Sequence, residues 1–152
     1  MNLILEKSSF VDYYTYLDKV FANIIEFQEL YWLLSDIECN GFYDILSEQK
    51  FIFMDGKSLN NILQNNDIQF IWGVFSAFDK KPNKLPDTLP YADGNEKLWK
   101  ENPHTQIPNA KYEIICFDSA LTLFINISED IANKLKKLYP DIKNLDKKTK
   151  TH

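Results

Sequence analysis

The chain contains no arginine, and all seventeen of its basic residues are lysine. Arginine is the usual donor for bidentate contacts to phosphate, carboxylate and guanine. Its absence disfavours a phosphate-clamping enzyme and a sequence-specific nucleic-acid reader. The 152 residues include only four glycines, six prolines and two cysteines, with 45% hydrophobic and 26% charged residues. These values exclude a collagenous chain, a disulfide framework and wholesale disorder, and they fit one globular domain.

Motifs that signal a known chemistry are also missing. The sequence contains no phosphate-binding loop, no dinucleotide fingerprint, no nucleophile elbow, no HExxH and no CxxC. A zinc site needs about four ligands, and only His104 and His152 supply imidazole. A general base at His104 needs a nucleophile and an orienting carboxylate, and nothing in the local sequence positions either. We therefore expect no catalytic site, no metal and no cofactor.

Long apolar runs and targeting signals are absent as well. No stretch approaches the roughly 18 apolar residues that a membrane-spanning helix needs. The N-terminal segment MNLILEKSSF lacks the basic start, sustained apolar core and small-residue cleavage site of a secretory signal. We therefore expect a cytoplasmic protein that does not enter a membrane.

Hydrophobic periodicity predicts an amphipathic helix near the N-terminus. The helix begins at Ser8 or Ser9, either of which suits an N-cap. Its other face is polar, as in a helix that lies on a sheet with one side in water. The buried stripe, at spacings of three and four, consists of Phe10, Tyr13, Tyr14, Leu17, Val20, Phe21, Ile24 and Phe27.

Six runs rich in β-branched and aromatic residues predict strands. The run 68–78 is apolar on both alternating faces, which predicts a central strand covered on two sides. Residues 111–118 and 120–127 flank Asp118-Ser119 and predict a hairpin. The other predicted strands are an edge strand at 3–5 and strands at 31–38 and 51–54.

Turn and cap residues predict the remaining segments. Residues 42–48 suit one or two helical turns, Ser58 caps a short helix, and Ser128 caps a helix that ends before Pro140. Residues 79–110 contain five of the six prolines but also Leu89, Tyr91, Leu98 and Trp99. This composition predicts a long ordered loop with one helical turn near 95–101.

Together these elements predict an α+β fold. The sheet is mainly antiparallel, with an N-terminal amphipathic helix, a C-terminal helix and the long ordered loop. The domain is predicted to span residues 1–142, and the Lys-rich tail 143–152 is expected to be disordered.

Charge is distributed unevenly along the chain. Residues 1–79 carry a formal net charge of −8, whereas residues 80–152 carry +3. An acidic surface attracts a basic partner and opposes direct binding to nucleic acid or to an anionic membrane. The sequence therefore favours a protein partner.

Several diffuse features point to a class of binding protein. They are the acidic N-terminal half, the aromatic pairs Tyr31-Trp32 and Phe42-Tyr43, and the loop segment YADGNEKLWKENPH. In size, composition and these features the whole chain resembles the small cytoplasmic immunity proteins that bacteria make against toxin domains of contact-dependent-inhibition and other polymorphic-toxin systems. The resemblance implies a non-catalytic protein that neutralises a basic toxin domain by occupying it.

The candidate partner-binding residues are acidic and aromatic. Period-two alternation along a strand predicts that Asp36 and Glu38 lie on the same side. The acidic residues supply a steering field, and the aromatic residues supply anchors that bury a large area at small entropic cost. The full set is Asp36, Glu38, Phe42, Tyr43, Asp44, Glu48, Tyr91, Asp93, Trp99 and His104.

Three alternatives remain open for these residues. In the first, the aromatic side chains complete the core and the acidic ones only solubilise the surface. In the second, the protein is a small-ligand or enzymatic α+β domain, in which the 79–110 loop is a lid over a pocket walled by Trp72, Phe75 and the first helix. In the third, the chain is a structural subunit of a larger assembly.

Overall fold

A computed structural model describes residues 1–6, 15–40, 46, 48–100 and 102–145. Within these residues, seven strands form one sheet in the order β3-β2-β4-β5-β6-β1-β7, and all neighbouring strands are antiparallel. The predicted α+β class with a mainly antiparallel sheet is therefore confirmed. The elements are β1 (Leu3–Leu5), α1 (Asp18–Asn23), α2 (Ile25–Gln28), β2 (Tyr31–Asn40), β3 (Phe51–Asp55), α3 (Gly56–Asn65), β4 (Gln69–Phe78), a 3-10 helix (Glu96–Trp99), β5 (Tyr112–Phe117), β6 (Leu121–Ile125), α4 (Glu129–Leu138) and β7 (Lys143–Asn144).

The two faces of the sheet are covered by different parts of the chain. On one face, side chains of α1 to α4 pack with Trp32, Phe75 and Ile114 of the strands in the main core. On the other face, the long loop at 79–110 covers two smaller apolar clusters. Leu98 of the loop packs against Val74 and its neighbours, and the loop's buried Ile107 packs in the cluster of Leu33. The loop is thus a third layer of the fold.

The N-terminal helix differs from the single long helix that the periodicity predicts. Its described part is two short helices that are separated at Ile24, whose backbone is extended (φ −110°, ψ 92°). The predicted stripe is nevertheless buried from Leu17 to Phe27. Side chains donate hydrogen bonds to backbone carbonyls near the break: Trp32 Nε1 donates to Phe27 O at 2.8 Å, and Gln28 Nε2 donates to Phe21 O at 2.6 Å. The rest of the predicted helix, residues 8–14, lies outside the described residues.

The edges of the sheet also differ from expectation. The predicted edge strand, β1, lies between β6 and β7, so it is not at an edge. Lys143 and Asn144 pair with Ile4 and Leu3, and Leu145 is buried. The sheet therefore extends past residue 142, into the segment that composition alone assigns to a tail. Residues 146–152 of that segment lie outside the described residues.

The residue that caps α3 differs from the predicted one. The cap is Asp55 rather than the predicted Ser58: Asp55 Oδ1 accepts from Ser58 N and Oδ2 from Ser58 Oγ, both at 2.8 Å. Gly56 is the first helical residue and donates its N–H to Leu30 O at 2.7 Å. The Asp-Gly pair thus joins strand to helix directly.

The β5–β6 hairpin, the cap of α4 and the helical turn of the long loop agree with the sequence-based predictions. Asp118 and Ser119 both have positive φ, and Ala120 N donates to Phe117 O at 3.0 Å, as a tight hairpin turn requires. Ser128 Oγ accepts from Ile131 N at 3.2 Å and caps α4, as predicted. The predicted helical turn within the long loop is the 3-10 helix.

Candidate functional site

The long loop is held on the sheet by polar side chains that the strands and the N-terminus bury beneath it. Ser35 Oγ donates to Pro90 O at 2.8 Å, and Asn2 Nδ2 donates to Pro103 O at 2.9 Å. Both donors are buried. Since a buried polar group without a partner is costly, these contacts favour one fixed position of the loop.

Glu113 on β5 makes the most extensive of these contacts. Its Oε1 accepts from Gln106 N at 2.7 Å, while Oε2 accepts from Ile107 N at 3.3 Å and from Ser76 Oγ at 3.1 Å. The carboxyl group is fully buried, and burial raises its pKa to about 7 despite these hydrogen bonds. The protein thus keeps an ionisable group at the contact between loop and sheet.

Asp36 fixes the loop from a bulge in β2. Ser35 pairs with Val74 and Glu38 with Trp72, so β2 contains one more residue than β4 over this stretch. Asp36 has a φ of 54°, and its Oδ2 accepts from Ala92 N at 2.9 Å and from Asp93 N at 3.1 Å. The carboxylate therefore acts as an internal contact to the loop.

The bulge corrects the predicted acidic pair. The period-two alternation that would place Asp36 and Glu38 on one side is interrupted between them. Asp36 is half-buried and bound to the loop, whereas Glu38 is exposed. Of the two, only Glu38 is fully available as a surface charge.

The other predicted partner-binding residues fall into three groups. Tyr91 and Trp99 are 40% and 37% exposed on the loop, which separates them from aromatics that complete the core. Asp93, His104 and Glu48 are exposed. Residues 49 and 50 line one shallow depression together with Asp36 and Tyr91, which places the segment after Glu48 beside Tyr91. The remaining three, Phe42, Tyr43 and Asp44, lie outside the described residues.

Trp99 is supported from below by other rings. Its indole meets Phe117 edge-to-face at 5.1 Å between centroids, and Phe117 meets Trp72 in the same way at 4.7 Å. Trp72 and Phe117 lie on the neighbouring strands β4 and β5. This stack fixes the indole while part of it stays exposed.

Two of the walls expected for a pocket beneath the loop, Trp72 and Phe75, lie on opposite faces of the sheet. Phe75 is fully buried and packs edge-to-face on Phe70 at 5.0 Å, within the core on the helix side. Trp72 is covered by Phe117. Trp72 and Phe75 therefore do not wall one pocket, and buried residues of the loop pack directly on the sheet.

A cleft of about 620 Å³ lies instead within the loop itself. Its walls are residues of two arms, 88–100 and 102–106. Gln106 joins the arms, since its Oε1 accepts from Tyr91 N and its Nε2 donates to Tyr91 O, both at 3.0 Å. Buried Asn95 adds a contact within one arm by donating to Tyr91 O at 3.0 Å. The cleft is therefore preformed.

Sequence reasoning missed the buried polar residues that hold the loop. Glu113 carries the one available signal: it is the single charged residue inside the apolar run YEIICF. Charged residues are rarely buried unless they have partners, so such a position indicates a buried contact. Asn2, Ser35, Ser76 and Gln106 have no comparable signal.

The described residues offer little for metal or thiol chemistry. No group of three or more His, Cys, Asp or Glu side chains suited to a metal ion occurs among them. Cys39 and Cys116 are not joined in a disulfide, and burial raises the pKa of the Cys116 thiol. No helix in this part of the chain has the length and apolar character to cross a membrane.

Comparison with known proteins adds no relative: no family model, curated protein or solved structure matches the chain.

Proposed function

We propose that this protein is a non-catalytic, cytoplasmic immunity protein, which binds and neutralises the toxin domain of a bacterial competition system. The observation that carries the proposal is the long loop, which is fixed by buried polar contacts yet leaves Tyr91 and Trp99 exposed. A surface that is ordered before binding loses little conformational entropy on association. Exposed Trp and Tyr side chains are the commonest anchors of protein interfaces.

Acidic residues on and beside this surface favour a basic partner, whereas Lys97 and Lys100 of the same loop oppose it locally. Asp93 and Glu96 are exposed on the loop near the two aromatic residues, and Glu38 and Glu48 are exposed on and after β2. Such residues speed association with a basic domain through long-range attraction. They also oppose direct contact with nucleic acid or an anionic membrane. Neutralisation then follows from occupancy alone, without any reaction.

The test begins with affinity capture of the tagged protein from the cells that make it. We expect one basic domain that arrests growth when it is expressed alone and that no longer does so when this chain is co-expressed. Tyr91→Ala and Trp99→Ala should each weaken binding to that domain by about tenfold or more, as for hot-spot residues, and should reduce the protection of growth.

Tyr31→Ala is the matched control, because Tyr31 is 38% exposed but lies at the start of β2 rather than on the loop. Its binding should equal that of the unaltered protein. Urea unfolding of each variant separates a loss of binding from a loss of fold. A captured partner without toxicity contradicts the immunity function, and full protection by both loop variants contradicts the assigned surface.

A further inference from the structure

The cleft within the long loop has a cationic wall that the proposed protein interface does not use. Lys97 and Lys100 are the only Lys, Asp or Glu among the described residues that line it, and both are exposed. Neither ammonium group forms a salt bridge within the described residues. Two lysines without a salt bridge to any described residue thus line a preformed concave space.

The rest of the cleft offers both apolar and hydrogen-bonding surface. Leu89, Leu98 and Tyr91 contribute apolar atoms, while Asn102 and Thr105 contribute polar ones. The volume of about 620 Å³ lies within the range of small-molecule sites, which is about 300–1,000 Å³. Lysine binds anions as a point charge, so the site has no need of the arginine that the chain lacks.

The shape of the cleft is maintained by contacts outside it. Glu113 accepts from the backbone of Gln106, and Asn2 donates to the carbonyl of Pro103. Asn102, the first residue of the second arm, has a φ of 54°, a conformation that non-glycine residues adopt sparingly and that the surrounding contacts must hold. A ligand that enters the cleft therefore does not have to order the loop first.

We propose that this cleft binds a small organic anion, in which a carboxylate or phosphate group contacts Lys97 and Lys100 and an apolar body rests against Leu98 and Tyr91. This activity goes beyond the proposed toxin neutralisation and does not depend on it. The bound anion would also neutralise the positive charge of Lys97 and Lys100 in the cleft that Tyr91 lines, and would thereby favour association with a basic partner.

The test uses the full chain and four aromatic probes of similar size: phenyl phosphate, benzoate, neutral benzyl alcohol and cationic benzylamine. We expect saturable shifts of backbone amide resonances within residues 88–106 for at least one anion, and none for benzylamine. The tighter of the two anions identifies the preferred head group. Lys97→Gln combined with Lys100→Gln should weaken anion binding by about tenfold or more, as for loss of charge-assisted hydrogen bonds.

Lys136→Gln is the matched control, since Lys136 is an exposed lysine on α4, across the sheet from the loop. It should leave anion binding unchanged. The proposal is overturned if neither anion binds, if benzylamine or benzyl alcohol binds as tightly as the anions, or if binding survives the double lysine change. None of these outcomes requires a protein partner, so the result stands apart from the test of the immunity function.

Discussion

Replacing Glu113 with glutamine is expected to make the free energy of unfolding much less dependent on pH. Burial raises the pKa of this carboxyl from 4.5 to about 7, so the folded state binds its proton more tightly than the unfolded state. Its contribution to stability is therefore fully present below pH 4.5 and is lost as the pH rises through 7. The loss amounts to about 3 kcal/mol, because each pKa unit corresponds to about 1.4 kcal/mol.

Glutamine keeps the shape of the side chain but cannot ionise. Its NH2 group takes the place of Oε2 and meets the N–H of Ile107, and two facing donors cost stability at every pH. This cost does not change how the free energy of unfolding varies with pH. Urea unfolding of both proteins across this pH range gives the comparison: the variant should gain about 3 kcal/mol relative to the unaltered protein on going from low to high pH. Glu96→Gln, which removes an exposed carboxylate from the same loop, is the control. Parallel profiles for Glu113→Gln and the unaltered protein contradict the buried ionisable contact.

Replacing Gly56 with alanine is expected to destabilise the fold by about 3 kcal/mol or more, at the upper end of overpacking effects. A Cβ atom at this position would lie 2.2 Å from Phe27 O and 2.7 Å from both Gln28 C and Gln28 Cα. All three are backbone atoms of α2, so relief requires the two helices to separate. The loss should appear as a lower midpoint in urea unfolding.

Gly73→Ala provides the matched comparison for this change. A Cβ at Gly73 would meet side-chain atoms only, Ile37 Cδ1 at 2.9 Å and Phe75 Cε2 at 3.3 Å. The Ile37 methyl group lies at the end of a side chain that rotates, so the cost should be clearly smaller than at Gly56. If Gly56→Ala is as stable as Gly73→Ala, the result contradicts the close backbone contact between α3 and α2.

Features that depend on local sequence were predicted well. The hairpin around Asp118 and Ser119, the cap at Ser128 and the central strand in the run 68–78 each depend on neighbouring residues, and each is present. The sequence also indicated that the proline-rich stretch is ordered, since its apolar residues need something to pack against. Leu98 is buried accordingly.

Features that depend on particular side-chain hydrogen bonds or on distant parts of the chain were not predicted. The break at Ile24 is accompanied by side-chain hydrogen bonds from Gln28 and Trp32 to backbone carbonyls on either side of it. The spacing of apolar residues does not encode these hydrogen bonds. Strand β7 exists because β1 has an open edge to pair with, although its own sequence is polar. The bulge at Asp36 depends on loop amides 56 and 57 positions away along the chain. The cleft likewise requires both arms of the loop, so its cationic wall is visible only in the folded chain.

The proposed interface and the anion site both require that the long loop be a fixed layer of the fold. Native-state hydrogen exchange tests this requirement most directly. Four amides of the loop should exchange much more slowly than in an unfolded chain. They are those of Ala92 and Asp93, which donate to Asp36, and those of Gln106 and Ile107, which donate to Glu113. The amide of Lys84, an exposed residue of the same loop, serves as the internal reference for weak protection. Exchange of the four amides at the rate of an unfolded chain would contradict the account.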